Sequence, residues 1–182
     1  MSFDKELTNI NYIMLTTAKE KQALLIKSYL KPVLKDFGYL TSGQTWWRDK
    51  GEFFIIINLQ NFSWNTKNDV NFCFNIGIAL KSVMKDISKK PAYSDLTIML
   101  RQGGYLSDIR NTNTYKNKNG YVINQDTDID DFTKELKIDF EKEILLQLNK
   151  LKTINDCVDY YGNFPFWGDR LKELPGIIKP QN

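Results

Sequence analysis

The sequence predicts a single α+β domain that spans all 182 residues. A hydrophobic content of 42% with 26% charged residues suits one globular domain with a buried core. Between residues 44 and 102, apolar side chains alternate with the period of two that is typical of strands, whereas on both sides they recur at helical spacing. We therefore expect an antiparallel sheet of four to five strands, packed with an N-terminal helix and a long C-terminal helix.

The first helix is predicted to begin at Thr17, after an N-terminal arm formed by residues 1–15. Thr17 and the glutamate three residues later have the spacing of a capping box, in which each side chain accepts a hydrogen bond from a free backbone N–H. Gly38 supplies the left-handed residue that commonly ends a helix. Pro32 removes a backbone hydrogen bond inside this helix, so we expect a kink or a split near Leu30.

Two long central strands are predicted at residues 53–62 and 70–80. Side chains alternate across a strand, and each of these segments has one apolar face and one face that mixes apolar groups with amides. A short strand at residues 44–48 precedes them, and a fourth strand at residues 95–102 follows. Residues 121–123 are predicted to form a short edge strand.

The turn at residues 49–52 decides where Trp47 lies. A hairpin loop of two or four residues pairs Trp47 with Phe54 and places it on the amide-bearing face. A loop of three residues moves Trp47 to the core face. The sequence leaves both arrangements open.

A long amphipathic helix is predicted from about Asp128 to Leu151. Thr153 then has the position of a cap for a last helix, which Gly162 closes. The remaining residues, 163–182, are predicted to form an irregular tail. Its aromatic side chains either close the core as a clasp or form a patch for a partner.

Composition excludes several kinds of chemistry. The chain has no histidine, which removes the commonest general base at neutral pH and the commonest zinc ligand. Its two cysteines lie far apart and indicate buried thiols in a reducing compartment. No signal peptide and no apolar stretch of transmembrane length is evident, so we expect a cytoplasmic protein without membrane association. A net charge of +3 is too small to indicate nucleic-acid binding.

Two local motifs suggest a ligand, but both fail on spacing. The acids between Asp126 and Asp131 resemble a calcium loop, yet they lack the glycine and the final glutamate that an EF-hand requires. The glycines after Arg101 resemble the acetyl-CoA loop of N-acetyltransferases, yet Leu106 stands where a small residue is needed. We therefore expect neither a metal nor a cofactor.

The amide-bearing face of the sheet is the candidate working surface. Asparagine and glutamine are unfavourable inside strands, and buried amides require hydrogen-bond partners. Arg101 lies in the fourth strand, on the face of Thr97 and Met99, and we expect it to join the amides if the strand register permits. The candidate binding residues are Trp47, Asn58, Gln60, Trp64, Asn71, Asn75 and Arg101. The alternative is that the amides bond only to one another, to loops or to water.

Short motifs along the same region resemble a known family, the bacterial domain-of-unknown-function family 4304. The resemblance covers roughly residues 20–160 and is carried by residues 30–38, Trp46-Trp47-Arg48, Asn58-Leu-Gln60, Ser63-Trp-Asn65 and Phe74-Asn-Ile-Gly77. The family tends to have a basic residue and a serine directly after the glutamine, where this chain has Asn61 and Phe62. The resemblance implies the same order of elements and no established activity.

These observations favour a non-catalytic binding or interaction protein. The motivation is the missing catalytic apparatus together with an amide face that has tryptophans near it. An immunity-type or stress-associated protein is one specific version of this hypothesis. The expected partner is another protein or a small polar ligand, and the chain is expected to be a monomer or a homodimer. The alternative is an enzyme or small-molecule-binding protein with an arginine, asparagine and carboxylate site.

Overall fold

The structure, a computed structural model, describes residues 17–174, which form an α+β domain. The N-terminal arm predicted for residues 1–15 lies outside the described residues. One antiparallel sheet has the strand order β1-β2-β3-β4-β7-β6, and β5 also pairs with β4. The strands are β1 (Leu40–Ser42), β2 (Thr45–Asp49), β3 (Phe53–Asn61), β4 (Asp69–Leu80), β5 (Ile98–Arg101), β6 (Lys116–Asn117) and β7 (Gly120–Asn124).

The predicted fold class is confirmed, and the sheet is larger than expected. It has seven strands instead of four to five, because the short segments β1 and β6 extend its two ends. Such short strands carry almost no periodicity of their own, so the pattern of apolar residues does not reveal them. β7 is consequently not an edge strand, since β6 covers its outer side.

The N-terminal helix, α1, is continuous but not uniform. Thr17 forms the predicted capping box with Glu20, and Gly38 follows the last turn with a φ of 81°. Pro32 does not break the helix, because the disturbance expected near Leu30 takes the form of a wider π-helical turn. Its three consecutive segments are Ala18–Leu25, the π-helical Ile26–Leu30, and Lys31–Asp36.

The long C-terminal helix, α3, confirms the prediction from residue 128 onward. Asp128 caps it by accepting hydrogen bonds from the backbone N–H groups of Asp130 and Asp131. A π-helical turn again lies in its middle. The segments of α3 are Ile129–Lys137, the π-helical Ile138–Ile144, and Leu145–Lys150; a short helix, α2 (Asp108–Asn111), precedes it.

The prediction of an irregular tail for residues 163–182 was wrong over most of the part that is described. Thr153 caps α4 (Ile154–Tyr161) as predicted, but a further helix, α5 (Pro165–Glu173), follows. A proline in the first helical turn is tolerated, because its missing N–H has no partner there in any helix. Gly168 lets the two helices approach closely, since a Cβ atom at this position would lie 2.9 Å from the Cα of Gly162.

The helices pack on the apolar face of the sheet, where β3 and β4 contribute Phe53, Ile55, Phe72 and Phe74 to the main core. The opposite face has a second, smaller apolar cluster at one end. It consists of Trp47, Phe54, Ile56 and Ala79, and the β4–β5 connection covers it with Met84 and Leu96. Only the other end of this face remains polar.

The β2–β3 hairpin corrects the predicted partner of Trp47. Trp47 lies opposite Ile56 and not Phe54, because the closing hydrogen bond runs from the Lys50 N–H to the Phe53 carbonyl and leaves a two-residue loop. The shift of two positions preserves the face, so Trp47 does point to the amide-bearing side. It is buried there among apolar neighbours.

β4 is the strand that positions the polar end of this face. One of its edges pairs with β3, whereas the other is shared by β7, at residues 69–72, and β5, at residues 75–78. Between these two strands, the side-chain Oε1 of Gln102 accepts a hydrogen bond of 2.9 Å from the Phe74 N–H. Arg101, the last residue of β5, is thereby held beside the middle of β4.

We expect the Gly77→Ala substitution to lower the free energy of unfolding by about 1–3 kcal/mol, the usual cost of overpacking. A Cβ atom on Gly77 would lie 1.9 Å from the backbone oxygen of Ile98, so β5 has to move away from β4. Urea unfolding measures the change. Gly103→Ala is the control, because there the new methyl meets only the side chain of Asn111, at 3.0 Å. Equal stability of the Gly77→Ala and wild-type proteins would contradict the close β4–β5 approach.

Candidate functional site

A row of polar residues crosses four strands at the open end of the second sheet face. Strand register places Thr45 opposite Asn58, Asn58 opposite Asn75, and Asn75 opposite Arg101. Gln60 and Cys73 form the next pair along β3 and β4, on the same face. We call these six residues, Thr45, Asn58, Gln60, Cys73, Asn75 and Arg101, the polar cluster.

Hydrogen bonds join the amides of the polar cluster to one another and to Arg101. The side-chain N–H₂ of Asn58 donates to Thr45 Oγ1 at 2.9 Å. The Nδ2 of Asn75 donates to Gln60 Oε1 at 3.0 Å and to Asn58 Oδ1 at 3.3 Å. Arg101 Nη1 donates to Gln60 Oε1 at 3.4 Å and also contacts the Cys73 sulfur. Gln60 is therefore the amide that accepts from the guanidinium group, and Asn75 donates to the same Gln60 oxygen.

Asn75 is the buried centre of the polar cluster. Its side chain is fully buried, and its Oδ1 has no hydrogen-bond partner among residues 17–174. A buried polar atom without a partner costs about 1–3 kcal/mol. Proteins tolerate such a cost most readily where a group is held for a purpose other than stability.

Arg101 is exposed, and no described residue with a carboxylate pairs with it. The side chain that it contacts, Cys73, is a free thiol. Burial raises the pKa of the Cys73 thiol, and Arg101 offsets only part of that shift. The thiol therefore stays protonated at neutral pH, where a protonated cysteine is a poor nucleophile. The Arg101 guanidinium is the charged group of this surface, and it is able to bind an anion.

An aromatic pair extends the surface beyond Arg101. The rings of Phe62 and Trp64 stack with their centroids 4.6 Å apart, and the Arg101 guanidinium lies 5.9 Å from the Phe62 ring. Trp64 is 59% exposed. A large exposed aromatic ring next to an unpaired arginine is a combination that is enriched where proteins bind other proteins.

A cleft of about 320 Å³ lies on the other side of Arg101. The cleft is lined by the residues that follow β5 and by the turn between β6 and β7, which includes Lys118. Its lining contains no aspartate or glutamate, and Lys118, like Arg101, forms no ion pair within the described part of the chain. The cleft is therefore electropositive.

The structure brings together four of the seven predicted site residues: Asn58, Gln60, Asn75 and Arg101. Trp64 lies next to them through its stack with Phe62. Asn71 is on the same face but bonds elsewhere, since its amide donates to Asp69 and accepts from Asn117. Trp47 lies at the apolar end of the face and is not part of this surface.

Sequence reasoning missed three residues of this surface as site candidates, namely Thr45, Phe62 and Cys73. Strand alternation already places Phe62 and Cys73 on the amide-bearing face, and that signal was sufficient to find them. Thr45 could not be found in the same way. Its place opposite Asn58 follows from the hairpin register, which the sequence left open.

The described residues contain neither a candidate membrane span nor a candidate metal site. No helix within residues 17–174 is long and apolar enough to cross a membrane. The same region contains no group of three or more cysteine, aspartate or glutamate side chains placed to hold a metal ion.

Comparison with known proteins gives one match. No curated protein and no solved structure matches the chain. A protein-family model does match, and its matched segment contains the whole polar cluster. The chain belongs to the family described as domain of unknown function (DUF4304), whose model matches residues 30–150.

Proposed function

We propose that the protein is a non-catalytic binding protein that holds a partner protein through an anionic group of that partner. The anion would be the carboxylate of an aspartate, a glutamate or a chain terminus, and it would pair with Arg101. The observation that carries the proposal is the exposed Arg101 guanidinium, which has no acidic partner within residues 17–174 and is supported by Gln60 and Cys73.

The neighbouring aromatic rings support a protein as the partner. Arginine and tryptophan are over-represented among residues that dominate the energy of protein interfaces. Trp64 is held in place by its stack on Phe62, so little side-chain entropy is lost when a partner covers it. An arginine already supported by neutral hydrogen-bond acceptors loses less freedom on binding than an unsupported one.

The absence of a paired acid and base in contact with Arg101 supports a non-catalytic role. Among the described residues, the side chains that bond or contact Arg101 are an amide, a protonated thiol and an aromatic ring. None of these transfers a proton readily at neutral pH. An immunity-type or stress-associated role in the cytoplasm is the finer form of the proposal, and it rests on this lack of chemistry and on the two buried free thiols.

A small polar anion is the second candidate ligand. The electropositive cleft beside Arg101 supports it, because about 320 Å³ is room for a compact molecule and Lys118 adds a second cation. A small anion bound in the cleft would still use Arg101. The two candidates differ at Trp64, which does not line the cleft.

Capture of partners from an extract of the native cell tests the proposal. The bait proteins are the wild type, Arg101→Ala, Trp64→Ala and the control Arg170→Ala, which removes another exposed arginine in α5. We expect one partner to be retained by the wild type and by Arg170→Ala and to be lost with Arg101→Ala and Trp64→Ala. Retention of the same partner by Arg101→Ala contradicts the proposal. Loss with Arg101→Ala alone, together with calorimetric binding of a small dicarboxylate, favours the second candidate.

A stability measurement separates binding from a purely structural role. We expect Arg101→Ala to change the free energy of unfolding by no more than about 0.5 kcal/mol, as surface substitutions usually do. Asn75→Ala should cost about 1 kcal/mol, since half-exposed Asn58 and Gln60 can replace its hydrogen bonds with water. Thermal and urea unfolding of both variants provide the values. Losses of several kcal/mol in both would mean that the polar cluster serves the fold.

A further inference from the structure

A second pocket, distinct from the Arg101 surface, opens at the β1 end of the sheet. Its volume is about 450 Å³. The last segment of α1 contributes Lys31 and Lys35, β2 contributes Trp46 and Trp47, and Tyr39 lies between α1 and β1. Lys90, from the β4–β5 connection, completes the rim. We call this site the edge pocket.

The walls of the edge pocket are apolar. Tyr39, Trp46 and Trp47 are all nearly buried, and they present more apolar than polar surface to the pocket. A volume of a few hundred Å³ with aromatic walls is typical of sites that bind small molecules. The body of a fitting ligand is therefore apolar, either aromatic or alkyl.

Two of the aromatic residues that line the edge pocket carry a polar atom without a partner. The indole N–H of Trp46 and the hydroxyl of Tyr39 are both buried, and neither has a hydrogen-bond partner among residues 17–174. These atoms are inaccessible even to water, so they do not mark the polar end of a ligand. The polar groups that a ligand can reach are the lysines at the rim.

The charges around the edge pocket have one sign. Lys31, Lys35 and Lys90 are exposed, and within the described part of the chain none of them forms an ion pair. The lining contains no aspartate or glutamate. A neutral ligand would leave these cations without a partner, whereas an anionic ligand would be attracted to them.

We infer that the edge pocket binds a small organic acid, in which a carboxylate is attached to an aromatic or alkyl body. The body would lie against the tryptophans, and the carboxylate would accept hydrogen bonds at the lysine-lined rim. This site also accounts for Trp47, which belongs to the predicted binding residues but lies away from the polar cluster. An acidic peptide added to the open edge of β1 is less well supported, because β1 is only three residues long and offers few ladder hydrogen bonds.

Calorimetric titration with a matched pair of probes tests this inference. The probes are naphthalene-2-carboxylate and its uncharged analogue naphthalene-2-carboxamide, and quenching of tryptophan fluorescence reports on the same titrations. We expect the carboxylate to bind at least about tenfold more tightly than the amide, since a factor of ten corresponds to one charge-assisted hydrogen bond of ordinary strength. Equal affinities for the two probes would overturn the inference.

Three variants locate the binding site. The double variant Lys31→Gln/Lys35→Gln should weaken carboxylate binding about tenfold and leave amide binding unchanged. Lys27→Gln is the control, because it removes an exposed lysine of the same helix that does not line the pocket. Tyr39→Phe removes only a buried hydroxyl that has no partner, so we expect it to fold normally and to leave the carboxylate affinity unchanged.

The remaining outcomes overturn the inference. Equal loss with Lys27→Gln and with the double variant would mean that the carboxylate binds non-specifically to surface charge. Binding of an acidic decapeptide without binding of naphthalene-2-carboxylate would assign the edge pocket to a peptide. Because Arg101→Ala leaves this pocket intact, the expected result with that variant is unchanged carboxylate affinity, and the outcome is independent of the function proposed above.

Discussion

The Asp139→Asn variant is expected to lose about 3–5 kcal/mol of stability, the usual cost of breaking a buried ion pair by removing one charge. Asp139 is completely buried in the π-helical turn of α3. Its carboxylate pairs with Lys116 at 2.6 Å and with Arg110 at 2.7 Å, and it accepts a hydrogen bond of 2.7 Å from the Tyr121 hydroxyl. The Lys116 side chain is only 3% exposed, so the asparagine variant leaves its charge buried without a carboxylate, with the Arg110 carbonyl as its remaining hydrogen-bond acceptor.

Urea unfolding of a matched pair of variants measures this effect. The double variant Asp139→Leu/Lys116→Met removes both buried charges, and we expect it to be more stable than Asp139→Asn by at least about 1 kcal/mol. Arg110 still has Glu135 as a partner in that variant, at 2.8 Å. A loss below about 1 kcal/mol for Asp139→Asn would show that the ion pair does not hold the β6–β7 hairpin against α3.

The Phe74→Ala variant should also be strongly destabilised, by about 3–5 kcal/mol. Phe74 is fully buried on the helix-covered face of β4, and its ring lies 4.8 Å from the Phe140 ring and 5.8 Å from the Tyr121 ring in edge-to-face geometry. Truncation removes these contacts and leaves a cavity between the sheet and α3. The midpoint of urea unfolding at constant slope gives the change in free energy.

Trp64→Ala is the informative control for this measurement. It also deletes a stacked aromatic ring, but from an exposed position, so we expect a loss of no more than about 1 kcal/mol. The contrast would separate aromatic residues that build the core from those that remain available at the surface. A larger loss for Trp64→Ala than for Phe74→Ala would contradict the assignment of the two sheet faces.

Local signals in the sequence predicted the parts of the fold that depend on neighbouring residues. The caps at Thr17, Asp128 and Thr153 were predictable, because a capping side chain bonds to a backbone N–H two or three residues away. The alternation in β3 and β4 was equally visible, because two faces of different polarity impose a period of two. Gly38 and Gly162 also marked helix ends, but only Gly38 takes the left-handed conformation; Gly162 ends α4 with a right-handed φ of −58°.

Local sequence signals could not predict interactions between segments that are distant in the sequence. Asp139 falls on the apolar side of α3, and its partners Lys116 and Arg110 come from the segment between the fourth strand and residues 121–123, for which the sequence predicts no helix or strand. A buried charge is recognisable only together with its counter-charge. The helix α5 was missed because its proline and glycine suggest irregular structure, although one occupies a helix start and the other a close contact with α4.

The sequence predicted which face of the sheet carries the candidate site, but not which of its residues contact each other. Alternation assigned Asn58, Gln60 and Asn75 to one side of the sheet, but only strand pairing decides which of them bond to each other. Trp47 shows the limit clearly. Its face was anticipated for a two-residue loop, but the apolar cover formed by Met84 and Leu96 was not, because that segment has no regular pattern.

The pairing pattern of β4 also bears on how a newly made chain assembles. β2, β3 and β4 are joined by a tight turn at residues 50–52 and a loop at residues 62–68, so less chain entropy is lost when they pair than when distant strands do. The strands that cover the second edge of β4 follow much later, and Asp69 has to find Asn124. If β2 to β4 pair during synthesis before residues 98–124 have been made, the second edge of β4 is still unpaired at that point. At this stage the chain is most exposed to pairing with another copy of itself, until residues 98–124 join the sheet.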